Sequence, residues 1–214
     1  MEFGDGLMYR IPPYPAVKDP NMRVCTRALT PEQVLLFRQL GDEYVTKFGK
    51  PGYVGFNISS QERHEKRRCQ VGWLNHPMHD RRLCIMYDLM AEIAQSANAD
   101  TWQYDIDGYY DMLQYVHYTA RENDGPDDHF SWHMDKGDDW RRPQRKLAVV
   151  AILSSLNEYE GGGLSIFDGQ EISLVALEMG TVLVFPSFVQ HKVAPITKGL
   201  RRTLVGWLCG PRFK

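Results

Sequence analysis

From residue 101 onward the chain is cut into short apolar runs by Gly, Asp, Asn and Pro, and none is long enough for a helix of ordinary length. Trp102–Ile106, Met112–Thr119, Phe130–Met134, Leu147–Leu153, Leu164–Phe167, Ile172–Val175, Thr181–Phe185, Gln190–Ala194 and Arg202–Cys209 read as strands. Parallel strands need helical crossovers between them, and none is available here. The pattern therefore predicts an antiparallel sandwich or jelly roll.

The first hundred residues have a different texture. Residues 1 to about 29 are rich in proline and lack periodicity, which predicts an irregular arm wrapped on the domain. Thr30-Pro31-Glu32-Gln33 supplies an N-cap hydroxyl, a proline at the first helical position and a Gln that can close a capping box. Val34, Phe37, Leu40, Tyr44, Val45 and Phe48 follow at helical spacing, and Gly49 ends the run. A second helix is expected over about 79–98, with Leu83, Met86, Leu89, Ile93 and Ala97 on one face. Between the helices, residues 61–68 (QERHEKRR) alternate in charge and are expected to form a solvated face. A length of 214 residues suits one domain, with 1–100 as arm and helical support and 101–214 as the β core.

Charge excludes some partners. Twenty-five Lys and Arg against 27 Asp and Glu leave −2, so no basic field selects nucleic acid or an anionic membrane. Cys25, Cys69, Cys84 and Cys209 form no CxxC pair, which predicts mostly buried thiols in a reducing cytoplasm. With no apolar leader and no run of ~18 apolar residues, the expectation is a soluble, cytoplasmic protein. Oligomeric state is not legible.

His133 and Asp135 stand two apart at a strand end, where period-2 geometry puts an imidazole and a carboxylate on one face. Chance alone gives roughly 0.5 such pairs in a chain of this composition, so the pair needs a third member. His191 supplies one, 58 residues later in an apolar strand. Two His and one carboxylate leave open positions on an iron, as non-heme Fe(II) oxygenases require. Ten residues further on, Arg201 can grip a carboxylate bidentately, with Thr203 adding a hydroxyl.

His133-x-Asp135, His191, Gly199-x-Arg201 and Trp207, in this order and spacing, resemble the 2-oxoglutarate and Fe(II)-dependent oxygenases, specifically the prolyl 4-hydroxylase-like branch. Upstream, Leu113-Gln114-Tyr115-Val116-His117-Tyr118 is similar to that branch's strand whose last Tyr reaches the cosubstrate. Leu156-Asn157 followed by Glu160-Gly161-Gly162 resembles its "LN…EGG" turn. The resemblance covers about 110–209. It implies a mostly β fold with supporting helices around a double-stranded β-helix (jelly roll) core. It also implies Fe(II) held by His133, Asp135 and His191, and 2-oxoglutarate held by Arg201, Tyr118 and Thr203. O2 would be the second cosubstrate, and ascorbate is a candidate accessory. The implied reaction hydroxylates an unactivated C–H bond, with succinate and CO2 as coproducts. A prolyl or other amino-acid residue of a peptide or protein is the expected substrate, with a free amino acid or small metabolite as the alternative. Gly163 stands where many members have Glu, Ser155 where a Tyr is common, and Arg201 where collagen-type members have Lys. Asp135 argues against a halogenase, which has a small residue there.

Other features receive plainer readings. Trp207 stands as core or substrate wall, and Asp138-Asp139-Trp140-Arg141-Arg142 as a loop at the mouth, with Trp140 and Arg141 as candidate substrate contacts. His76-x-x-His79-Asp80 is expected to be structural because Pro77 interrupts it, and His117 to face away from Tyr118. Gly161-Gly162-Gly163 reads as a tight strand turn, since no Lys-Ser/Thr follows it. The rival of another class is a cupin-like protein that binds a metal and a small ligand without oxidising anything. It would have no need of Arg201. Nucleic-acid demethylation is disfavoured, because Trp207 stands where that branch has a second arginine.

Overall fold

Thr30 starts the first helix through the reciprocal bonds its sequence offers. Its backbone N–H donates to Gln33 Oε1 (2.8 Å), and its hydroxyl accepts from the Gln33 N–H (3.3 Å). Helix α1 runs Pro31–Phe48. Asp80 caps a 3₁₀ turn, Arg81–Leu83, which leads into α2, Cys84–Asp100. The computed structural model describes residues 21–52, 65–75, 77–121, 127–137, 143–174 and 177–213. No helix among them is long and apolar enough to cross a membrane.

The strands form two antiparallel sheets. The larger is ordered β1 (Arg23–Cys25), β12 (Val182–Pro186), β8 (Gln144–Ile152), β14 (Ile196–Gly210), β6 (Leu113–Thr119), β4 (Gln70–Leu74) and β2 (Lys50–Pro51). Two short strands, β5 (Gly108–Tyr109) and β9 (Tyr159–Gly161), also pair with β14. The smaller sheet is ordered β11 (Glu171–Leu174), β10 (Leu164–Phe167), β13 (His191–Val193), β7 (His129–His133) and β3 (Arg67–Arg68). This is the expected jelly-roll arrangement, with both helices against the outside of the larger sheet.

Strand alternation divides the core in two. Leu147, Val149 and Ala151 of β8, with Val182 and Val184 of β12, face the helices. Ala148, Val150 and Ile152, with Leu183 and Phe185, face the smaller sheet. Both faces of these strands are covered, which is why β8 reads as an unbroken apolar run. Helix α1 lies so close to the larger sheet that a Cβ on Gly41 would stand 2.2 Å from the Tyr115 ring, itself fully buried. Gly41→Ala would gain about 1 kcal/mol of helix propensity. Overpacking costs about 1–3 kcal/mol, so the variant is expected to unfold at lower urea than the parent, the reverse of the propensity effect.

Three expectations change. Trp102–Ile106 is not a strand: Gln103 sits at φ 53°, and the Asn98 side chain bonds the N–H and C=O of Tyr104 (both 2.9 Å), turning the chain off α2. The arm before residue 30 contains β1, which pairs with β12 through Arg23↔Val184. Residues 61–68 are not uniformly solvated. Positions 61–64 lie outside the described residues, but Arg67 is buried at 7% exposure, because β3 pairs with β7 and turns it inward. Residues before 101 thus add strands to both sheets. Cys69 and Cys209 are buried, Cys25 and Cys84 half-buried, and all four are free thiols.

Candidate metal centre

His133 ends β7 and His191 opens β13, and the two are directly paired across the smaller sheet. Each ring is oriented by its own strand: His133 Nδ1 lies 2.8 Å from the Ser131 carbonyl, and His191 Nδ1 2.9 Å from that of Val189. A carbonyl only accepts, so Nδ1 carries the proton and Nε2 keeps its lone pair. Those Nε2 atoms lie 3.8 and 3.6 Å from the two carboxylate oxygens of Asp135. All three ligand atoms fall within 4.8 Å of one another. Phe130 stacks on His133 (centroids 3.3 Å apart, 10°), Phe185 meets His191 edge-on at 4.8 Å, and the Asp135 N–H donates to the Ser187 carbonyl at 2.7 Å.

The charges suit a cation. Burial, with His191 beside it, pushes the His133 imidazole down to about 3. Burial would raise the Asp135 carboxyl, but His191 and His133, then the Trp207 indole and Arg145, hold it below the usual carboxylate range. At neutral pH the centre therefore presents an uncharged His133 and an ionised carboxylate, as ligands must be. In the metal-free protein, unfolded His133 takes up a proton below about pH 6.5 while the folded form refuses it until about 3. Stability should fall as pH drops through that window, by up to about 1.4 kcal/mol per pH unit for this group. Urea unfolding at stepped pH measures it, and a His133→Gln variant should show the shallower slope.

Beyond the triad, β14 pairs with β6 so that Arg201 stands opposite Tyr118. The Arg201 guanidinium lies 5.7 Å from the Tyr118 ring centroid. Arg201 and Thr203 are each 2% exposed and on one face of β14. Arg201 Nε is buried without a hydrogen-bond partner among the described residues, an orphan donor that suits an anion. Gly162, at φ +62°, lies against it: a Cβ there would come within 2.9 Å of Arg201 Cδ. Arg202 points the other way, to Asp42 (3.3 Å) and Glu158 (3.5 Å).

Residues 113–209 match the model of the 2OG-Fe(II) oxygenase superfamily. Over those residues the chain is similar to that superfamily. A PKHD-type hydroxylase of Synechococcus sp. (strain CC9902) is 28% identical over 61% of this chain, and the match spans 58% of that relative's length. A solved Pseudomonas putida prolyl-4-hydroxylase superposes with a TM-score of 0.64 at 20% identity, covering 90% of this chain and 94% of that one. A Trichoplax adhaerens prolyl hydroxylase, solved with a peptide fragment of hypoxia inducible factor, gives 0.69 at 15% identity, covering 88% and 83%. At those identities the two structures show a shared fold.

Within the matched segment, Tyr118 and Trp207 pack in the apolar layer between the sheets, and Trp207 is 4% exposed. Its indole N–H has no hydrogen-bond partner among the described residues, yet the indole helps hold Asp135 ionised. Trp140 and Arg141 lie outside the described residues, as does His76. Asp80 is structural, bonding Arg82 (2.7 Å) and Tyr44 (3.3 Å), and His117 bonds Asp42 at 2.7 Å on the helix side. The sequence reading missed Arg67, Trp73, Gln114 and Arg145. Arg145 lays its guanidinium 3.8 Å from the Trp207 ring and pairs with Asp111 (2.9 Å). Trp73 reaches Trp207 at 6.5 Å between centroids. The available signal was the alternation Arg67, Cys69, Val71, Trp73, which puts all four on one face of an extended chain.

Proposed function

We propose that the chain is an Fe(II)- and 2-oxoglutarate-dependent dioxygenase that hydroxylates an unactivated C–H bond of an amino-acid substrate, a prolyl or other residue of a peptide being the first choice and a free amino acid the alternative. The observation that carries this reading is the joint presence of two oriented imidazoles and an ionised carboxylate around one point, with a buried, under-bonded arginine in the same interlayer space. The names of the similar proteins, PKHD-type and prolyl hydroxylases, support the amino-acid class.

In this reading His133, Asp135 and His191 would hold Fe(II). Bound iron with 2-oxoglutarate and O2 supplies the oxidant for the C–H bond, with succinate and CO2 as coproducts. The protein's part is placement. Arg201 would hold the distal carboxylate of 2-oxoglutarate through its guanidinium, whose Nε otherwise lacks a partner, with Tyr118 and Thr203 beside it. The carbonyls of Ser131 and Val189 keep both imidazoles in the binding tautomer. Phe130, Phe185 and Trp207 exclude water from the reacting face.

The test is anaerobic addition of Fe(II) and 2-oxoglutarate, with a weak visible charge-transfer band expected, followed by O2 and measurement of succinate. A protein that binds metal but gives neither band nor succinate is the cupin-like alternative. Mass spectrometry of host proteins with and without active enzyme, searching for added oxygen, then locates a peptidyl substrate.

A further inference from the structure

Arg67 is a buried cation with no ion-pair partner among the described residues; Asp135, the carboxylate that acts on it, is the one held by the two imidazoles of the triad. Its Nε donates to Cys69 Sγ (3.1 Å), its Nη2 donates to Gln114 Oε1 (3.2 Å), and its guanidinium lies 4.5 Å from the Phe130 ring centroid. That same Phe130 ring stacks on the metal-site imidazole of His133. Burial pushes the Cys69 thiol and the Tyr118 phenol up, so neither supplies a negative charge at neutral pH. The nearby buried carboxylate Asp128 is already taken by Arg121 (3.1 Å) and Arg68 (3.9 Å).

Charge then decides what is missing. Among the described residues, the space beside the triad holds one carboxylate, Asp135, and two arginines without ion-pair partners, Arg67 and Arg201. A divalent metal and dianionic 2-oxoglutarate cancel one another, so the loaded site keeps one excess positive charge. An uncompensated buried charge is strongly unfavourable and is normally paired. Arg145, at the Trp207 side of the site, is already paired with Asp111.

We infer that Arg67 recognises a carboxylate of the primary substrate, so that the oxygenase acts on an acid-bearing amino-acid substrate: either a residue with a free α-carboxylate or a residue beside an acidic side chain in a peptide. This rests on the reading given under Proposed function. The guanidinium supplies a planar fork for the carboxylate, and Phe130 packs against both that guanidinium and the His133 imidazole.

The experiment uses the full chain loaded with Mn(II) and 2-oxoglutarate, titrated by calorimetry. One arm compares N-acetyl amino acids, proline first, with their primary amides. The other compares acetyl-prolyl-glutamic acid amide with acetyl-prolyl-glutamine amide. Members of each pair differ only in the carboxylate, and the arm that discriminates identifies its source. In at least one arm the acid should bind about tenfold or more tightly than its neutral partner, the size of a charge-assisted hydrogen bond. Arg67→Gln should abolish that preference while changing 2-oxoglutarate affinity less than about twofold, and Arg67→Lys should restore part of it.

The comparison in the unaltered protein stands even if Arg67→Gln folds poorly. No preference for the acid in either arm overturns the inference, and so does a preference that survives in a folded Arg67→Gln. If Arg67→Gln weakens 2-oxoglutarate as much as the acid, the carboxylate belongs to the cosubstrate and the inference also fails. Failure of the unaltered protein to bind 2-oxoglutarate at all would instead overturn the proposed function, which keeps the two outcomes apart.

Discussion

Asp135→Ala is expected to lower Fe(II) affinity by at least about 100-fold, beyond the ~10–100-fold that loss of an outer partner produces, and to abolish 2-oxoglutarate turnover. The carboxylate is the one charged member of the triad, facing both Nε2 atoms at 3.6–3.8 Å. The fold should survive, because the bond that fixes this residue is its backbone N–H to the Ser187 carbonyl, which alanine retains. His133→Ala and His191→Ala should behave alike, although each also leaves a carbonyl, that of Ser131 or Val189, without its ring donor. Anaerobic iron titration alongside circular dichroism separates lost metal from lost fold. An Asp135→Ala protein with undiminished Fe(II) affinity would mean the triad is not the metal site.

Arg201→Ala is the second large effect, and it should spare iron. Removing one partner of a buried charge-assisted pair costs about 2–5 kcal/mol, so the 2-oxoglutarate dissociation constant should rise roughly 30-fold or more. Arg201→Lys keeps the charge but loses the planar fork, and should recover only part. The adjacent Arg202 is the control: it sits on the opposite face, held by Asp42 and Glu158. Arg202→Ala should therefore leave cosubstrate affinity nearly unchanged and cost stability instead, since Asp42 also accepts from Tyr115 and lies against His117 where α1 meets the sheet. Calorimetry with Mn(II) in place of iron measures both variants. A large loss in Arg202→Ala with none in Arg201→Ala would place the anion on the other face of β14.

Local patterns carried much of this molecule. The capping box at Thr30 set where α1 begins, because both of its bonds lie within four residues. The alternation of β14 determined that Arg201 and Thr203 share one face and Arg202 takes the other, because a strand's period leaves no other arrangement. His133 and Asp135 were legible as a pair for the same reason. His191 was not, by spacing alone: 58 residues of chain separate it from His133, and only the pairing of β13 with β7 brings the two rings to 4.0 Å. Arg67 was hidden more completely. Its neighbours in sequence are charged and point to solvent exposure, whereas its burial comes from pairing with Phe130, a partner 63 residues away. Likewise β1 and β4 carry no strand pattern that the sequence analysis singled out, and are strands through their pairing with β12 and β6. The sequence by itself determined periods, caps and which side chains share a face. Which faces meet across the two sheets, and so which charges must be satisfied by a bound ligand, was decided by long-range strand pairing, whose energy no local pattern records.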